Sequence, residues 1–125
     1  MPNEMTGLVK PLLRGDVYEV NLDPVVGKEI GKKRPAVVIQ NNTGNEHSAL
    51  TIIAPISSIK QGFKLYPVMV VMRKGEGGLK EDSFAHCGQI RSLDKELRLV
   101  NKLGHLTPSR MAELDVALKI SLSLN

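Results

Sequence analysis

The chain has 125 residues, a net charge of +4 and a sequence pI near 9.3, and its single cysteine, Cys87, excludes an intramolecular disulfide. This length favours one hydrophobic core, and the lone cysteine is expected to be a buried, inert thiol. The sequence has neither the apolar run of a secretory signal nor the roughly 18 apolar residues of a membrane span. We therefore expect a soluble, cytoplasmic protein in which residues 1–13 form a flexible arm and residues 14–125 form a single domain.

Between residues 16 and 100 the sequence predicts a series of short strands. Alternating or continuous apolar residues predict six of them: 16–22, 35–40, 50–56, 67–72, a fifth from Ser83 through QIRSL with a bend near Gly88, and 97–100. The eight residues NNTGNEHS between the second and third strands predict a hairpin turn, and GEGG after the fourth predicts a flexible turn.

The last segment of the chain has helical periodicity. Thr107 is a good N-cap, Pro108 suits the first helical position, and apolar residues then recur at three- and four-residue steps, which predicts a helix over 108–122. Short strands followed by one helix predict a mainly β fold, built as a small, strongly bent antiparallel sheet or barrel.

The connection between the first two predicted strands, 23–33, is long and cationic. Hairpin loops usually take about two to five residues, so a longer loop indicates a task of its own. A solvated loop tip and a site for a polyanion such as RNA are both compatible with its charge. With only two Tyr and two Phe in the chain, an aromatic stacking platform is not expected. Between positions 28 and 34 the charged residues are Lys28, Glu29, Lys32, Lys33 and Arg34.

Hairpin geometry predicts that Arg34 lies opposite Ser57. If strands 35–40 and 50–56 pair antiparallel about a point near residue 45, these two side chains share one face of the sheet. Arg34 offers a planar fork of donors to two phosphate oxygens, and Ser57 offers a hydroxyl that orients the same phosphate. The pair suits a phosphodiester, in which Arg34 stabilises the charge that develops when a ribose 2′-hydroxyl attacks phosphorus.

Three further polar residues are candidates for contact with RNA. Gln40 ends the second predicted strand and Asn41 starts the turn after it, and these local roles explain both residues adequately without RNA. Arg91 is either a solvated strand residue or a phosphate contact. No group of histidine, cysteine or carboxylate residues has the spacing of a metal site, so we predict neither a metal nor a cofactor.

The stretch RGDVYEVNLDPVVGKEIGKKRPAVVIQN, residues 14–41, closely resembles the start of the MazF/PemK toxins, the ribonucleases of bacterial toxin–antitoxin pairs. The stretch QIRSLDK at 89–95 is similar to the family as well, and the resemblance covers about residues 14–122. Single residues also match the family pattern: Gly27, Glu29, Gly31, Arg34, Pro35, Asn41 and Ser57.

This resemblance implies an SH3-like antiparallel barrel of the CcdB/PemK type with a C-terminal helix. It implies a homodimer that cleaves single-stranded RNA at specific short sequences without a metal, leaving 2′,3′-cyclic phosphate and 5′-hydroxyl ends. The family's essential arginine falls on Arg34 and its Ser/Thr position on Ser57, while Glu29 matches a loop residue of variable role. An antitoxin with an acidic, flexible tail is the implied protein partner.

Two other functions are compatible with the same barrel. A gyrase-targeting poison like CcdB is one, but CcdB proteins rely on a tryptophan near the C-terminus, and this chain has no tryptophan. The other is a non-catalytic RNA-binding barrel, which would keep the basic loop and tolerate the loss of Ser57.

Overall fold

The computed structural model describes residues 11–125, so residues 1–10 of the predicted N-terminal arm lie outside the described residues. This part of the chain has seven strands, with short helices between them and a longer helix at the end. In chain order the elements are β1 (Asp16–Asn21), β2 (Lys33–Val38), α1 (Asn42–His47), β3 (Leu50–Ser58), β4 (Met69–Met72), a 3-10 turn (Glu76–Gly78), β5 (Ser83–His86), β6 (Arg91–Asp94), α2 (Lys95–Arg98), β7 (Leu99–His105) and α3 (Pro108–Leu122).

The strands form one antiparallel sheet in the order β4-β5-β3-β2-β1-β7, with β6 paired to β3. Strand β3 is the centre of this arrangement because its two halves have different neighbours. Its first half pairs with β6, where Leu50 faces Asp94, and its second half pairs with β5, where Ser57 faces Phe84. The prediction of a mainly β, antiparallel fold with a C-terminal helix is confirmed.

Three local predictions were wrong, each for a local reason. The fifth predicted strand is divided into β5 and β6, because its two parts pair with different halves of β3. The segment predicted as the sixth strand begins as helix α2, which Asp94 caps by accepting hydrogen bonds from Glu96 and Leu97, and β7 starts only at Leu99. The turn between β2 and β3 is the short helix α1, capped by Asn41.

Two groups of buried apolar side chains hold the sheet and helices together. The larger lies under α3, where Met111, Leu114 and Ala117 pack against residues of β1 to β5. The smaller joins β1, β2, β3 and β6. Cys87 is fully buried in the larger group, and its burial raises the pKa of the thiol to about 11, as expected for an inert cysteine.

No helix among residues 11–125 is long and apolar enough to cross a membrane.

Candidate active site

Arg34 and Ser57 are in direct contact. The Arg34 Nη1 donates a hydrogen bond of 2.7 Å to the Ser57 hydroxyl, and its Nε donates one of 2.7 Å to the carbonyl oxygen of Gly31. Two of the three guanidinium nitrogens are thereby fixed. Within residues 11–125 the third nitrogen, Nη2, makes no hydrogen bond, so the arginine is oriented while keeping donors for a ligand.

The strand register explains why these two side chains meet. In the β2–β3 ladder Ala36 faces Pro55 and Val37 faces Ala54, and continuing that register by two residues sets Arg34 opposite Ser57. The register predicted from the sequence is therefore confirmed. Pro35 fixes its own φ and disfavours a helical backbone at Arg34, which helps to keep the guanidinium on this face of the sheet.

An open cavity of about 640 Å³ lies in front of the pair. Both Arg34 and Ser57 line it, and so does the exposed cation Lys33 at the start of β2. The remaining wall comes from β5 and from the segment that follows β3, including Lys60, Phe63 and Phe84. A cavity with three cations and a hydroxyl offers a negatively charged ligand both attraction and directed hydrogen bonds.

The loop between β1 and β2, residues 22–32, is held in a defined shape. Leu22 and Lys32 close its base through a backbone hydrogen bond of 3.0 Å, and the Lys32 amide also donates to the Asp23 carboxylate at 2.8 Å. Gly31 is required at its position, because a Cβ there would lie 2.7 Å from that carboxylate and 2.9 Å from Val25. The Gly31 carbonyl that holds Arg34 is thus fixed by the loop.

A second link ties this loop to the turn between β5 and β6. The Ile30 amide donates a hydrogen bond of 2.9 Å to the Gln89 side chain, and the half-buried Arg91 donates one of 3.0 Å to the Leu22 carbonyl. Arg91 therefore holds the loop in place. It also lines a second cavity of about 600 Å³ together with Lys28 and Glu29, so the structure brings these three predicted residues together.

Glu29 has a clear local role at the tip of the same loop. Its carboxylate accepts a hydrogen bond of 2.8 Å from the Val26 amide, and its own amide donates to the Val26 carbonyl at 3.3 Å. The residue thereby closes a tight turn, while Lys28 and Lys32 on either side are exposed. Contact of Lys28, Glu29 and Lys32 with RNA stays a prediction.

Gln40 and Asn41 lie beyond the opposite end of β2 from Arg34, and the structure does not bring them into this site. The side-chain amide of Gln40 donates a hydrogen bond of 3.0 Å to the Leu50 carbonyl and one of 3.1 Å to the side-chain oxygen of Asn45. Asn41 caps α1, accepting from the Gly44 amide at 2.8 Å. Both polar groups have structural partners, and their contact with RNA stays a prediction.

Three residues that line the far wall of the cavity were not predicted from the sequence as site residues: Lys60, Phe63 and Phe84. Lys60 and Phe63 lie in the segment after β3, whose path no periodicity specifies. Phe84 had a detectable signal, since it lies in a predicted strand, but its partner on β3 follows only from the sheet order.

Residues 11–125 contain no group of three or more histidine, cysteine or carboxylate side chains arranged to hold a metal ion.

Comparisons with known proteins agree on one family. Residues 13–122 match the model of the PemK-like, MazF-like toxins of type II toxin–antitoxin systems. The chain is 47% identical over 112 residues to the endoribonuclease MazF of Staphylococcus epidermidis, covering 90% of this chain and 92% of that protein.

Solved structures give the same result for the fold. The crystal structure of MazF from Deinococcus radiodurans superposes on this chain with a TM-score of 0.77 at 25% sequence identity, covering 93% of this chain and 100% of that one. A mycobacterial endoribonuclease in complex with its cognate antitoxin superposes with a TM-score of 0.75 at 25% identity, covering 91% and 97% of the two chains.

Proposed function

The chain belongs to the PemK/MazF family of toxins from type II toxin–antitoxin systems and is an endoribonuclease, and we propose that Arg34 and Ser57 form its catalytic centre. The observation that carries this proposal is the 2.7 Å hydrogen bond between their side chains at the wall of an open, cationic cavity. A guanidinium with a free nitrogen beside a hydroxyl suits the non-bridging oxygens of a phosphodiester.

The proposed reaction is an internal transfer at phosphorus in single-stranded RNA. The ribose 2′-oxygen attacks the neighbouring phosphorus and loses its proton, the bond from phosphorus to the 5′-oxygen breaks, and the leaving oxygen gains a proton. The products are a 2′,3′-cyclic phosphate and a 5′-hydroxyl. No metal is needed in this scheme, because negative charge that builds on the phosphate oxygens is met by Arg34.

The two side chains have different tasks in this scheme. Arg34 presents Nη2 of its guanidinium to the phosphate, while the Gly31 carbonyl and Ser57 hold its other nitrogens. Ser57 orients the guanidinium and donates its hydroxyl hydrogen to the same phosphate. Lys33, exposed beside them, attracts the RNA backbone, and Lys28, Lys32 and Arg91 extend that attraction along the loop.

Two protein partners are part of the proposal. A cognate antitoxin would cover the cationic cavity with an acidic segment, supported by the exposed Lys28, Lys32 and Lys33 and by the mycobacterial relative solved with its antitoxin. A homodimer is supported by the exposed apolar side chains around α2, where Leu97 is 81% exposed. Because the substrate is cellular RNA, the proposed location is the cytoplasm.

The test is to incubate the protein with a long single-stranded RNA in EDTA and to map the fragment ends. We expect discrete cuts at a short recurring sequence, with cyclic phosphate and 5′-hydroxyl ends, which disappear in Arg34→Ala. Binding without cuts would instead identify a non-catalytic RNA-binding barrel. DNA breaks that depend on gyrase would identify a poison of the CcdB type.

A further inference from the structure

Two of the four aromatic residues in the chain meet beside the Arg34–Ser57 pair. The rings of Phe63 and Phe84 have centroids 4.7 Å apart and planes inclined by 39°. Both side chains are half-buried and both line the cavity that contains Arg34 and Ser57. Aromatic surface in this chain is therefore scarce overall but concentrated at the proposed catalytic centre.

Phe84 is held close to Ser57 by the sheet. The two residues are directly opposed in the β3–β5 ladder, where Cβ atoms of facing residues lie about 5 Å apart and on the same face. On its other side Phe84 faces Val71 of β4, so its backbone is fixed from both sides. Phe63 comes from the segment after β3, where its amide closes a turn onto the Lys60 carbonyl at 3.0 Å.

We propose that Phe63 and Phe84 form a stacking subsite for the base of one nucleotide next to the scissile phosphate. This inference rests on the proposed function, because it needs a phosphate bound at Arg34. A cavity of about 640 Å³ has room for a nucleotide, and Arg34 and Phe84 are placed to take its phosphate and its base. Every base has a π-face, so stacking fixes the nucleotide's position without reading its identity.

A purely structural role for the two rings predicts different behaviour. In that case Phe63 anchors the segment after β3 to the sheet, and any large apolar residue at position 84 would serve. The effect of changing Phe84 would then be the same whether or not the RNA carries a base at this place. A stacking role requires that the effect depend on both the ring and the base.

The experiment measures binding of a short RNA that spans a mapped cut and carries 2′-deoxyribose at the attacking position, which prevents cleavage. Phe84→Leu keeps apolar volume but removes the π-face, and we expect about 10-fold weaker binding. Phe84→Tyr keeps the ring and should bind like the unaltered protein. The matched control is Tyr66→Leu, an exposed aromatic residue after β3 that lies outside the cavity lining, and it should not change binding.

The decisive comparison uses the same RNA with the base removed from each nucleotide flanking the cut in turn. At one of the two positions, removal of the base should weaken binding to the unaltered protein about 10-fold. Phe84→Leu should bind that base-free RNA as tightly as the unaltered protein does. Equal affinities of Phe84→Leu and the unaltered protein for intact RNA would overturn the subsite. So would a loss in Phe84→Leu that persists at both base-free positions.

A fluorescence measurement keeps the subsite testable if Phe84→Leu is poorly folded. The chain has no tryptophan, so Phe84→Trp introduces a single indole at the cavity. Its emission should be quenched by intact RNA and not by the base-free RNA, and equal emission with both would contradict stacking. Failure of the unaltered protein to cut all-ribose RNA would count against the proposed function, whereas normal cutting with base-independent binding would count against the subsite alone.

Discussion

Polar side chains lie at the start of β2 and just beyond its other end, and the two places differ in how many of the polar groups have hydrogen-bond partners within the protein. At the start of the strand, Arg34 uses two guanidinium nitrogens on Gly31 and Ser57 and faces an open cavity with the third. Beyond its other end, Gln40 binds the Leu50 carbonyl and the side chain of Asn45, whose oxygen also accepts the Thr51 hydroxyl at 2.7 Å.

This difference separates Arg34, which the sequence analysis assigns to catalysis, from Gln40 and Asn41, for which it leaves contact with RNA and a structural role both open. Asn45 is 2% exposed and Thr51 is fully buried, so the hydrogen bond between them is shielded from water and is costly to break. Arg34 keeps a donor on an accessible surface, which is useful only if a ligand takes it. The first end should therefore control cleavage, and the second should control stability.

The largest expected effect comes from Arg34→Ala. Removal of a donor aimed at developing charge should lower the single-turnover cleavage rate by on the order of 10² to 10³. The free energy of unfolding, from urea titration, should fall by only about 1 kcal/mol, because the two hydrogen bonds that are lost are part-buried. Arg34→Lys, which keeps the charge without the planar fork, should remain well below the unaltered protein. A large loss of stability would mean that this end of β2 is structural too.

A second effect belongs to the other end of the strand. The Thr51 hydroxyl and the side-chain amide of Gln40 each donate a hydrogen bond to the Asn45 side-chain oxygen, and Asn45→Ala removes both bonds. The substitution should therefore lower the free energy of unfolding by about 2 kcal/mol. Under conditions where the protein is still folded, its cleavage rate should equal that of the unaltered protein. A cleavage defect without a stability defect would remove the distinction between the two ends.

Asn41 gives a finer test of the same distinction, because the sequence leaves both a turn-starting role and contact with RNA open, and the structure shows it capping α1. Asn41→Ala should lower the free energy of unfolding by about 1 kcal/mol through loss of the α1 cap. Asn41→Ser keeps a capping oxygen and should restore stability. If RNA affinity falls in both variants while Asn41→Ser is fully stable, Asn41 contacts RNA.

The smallest expected effect is that of Lys33→Ala on the salt dependence of RNA binding. Each phosphate contact contributes a slope of about −0.7 to a plot of log affinity against log salt concentration. Loss of Lys33 should reduce the slope by at most that amount, whereas Lys119→Ala, an exposed cation near the end of α3, should leave it unchanged. Equal slopes for all three proteins would indicate that Lys33 does not lie on the RNA path.

The part of the site that depends on local pairing was predictable from the sequence. Arg34 and Ser57 lie on strands that are consecutive in sequence and pair directly with each other, so one assumed register sufficed to bring the two residues together. Helix α3 was predicted with its observed bounds, because Thr107, Pro108 and the apolar period all agree.

The parts that depend on non-local pairing were not predictable in the same way. Phe84 lies opposite Ser57 only because β5 adds to the second half of β3, and no pattern in either strand specifies that choice. The division between β5 and β6 has the same origin. Asn41 was ambiguous because an asparagine suits both the start of a turn and contact with RNA, and only the observed hydrogen bond from the Gly44 amide shows that it caps a helix.

The most direct measurement for the central claim is a double-mutant cycle on the single-turnover cleavage rate, with Arg34→Ala, Ser57→Ala and the double variant. If the hydrogen-bonded pair acts on one phosphate as a unit, Ser57→Ala alone should slow cleavage, and the double variant should be no slower than Arg34→Ala. Fully additive losses, or a Ser57→Ala protein that cleaves as fast as the unaltered one, would contradict the account.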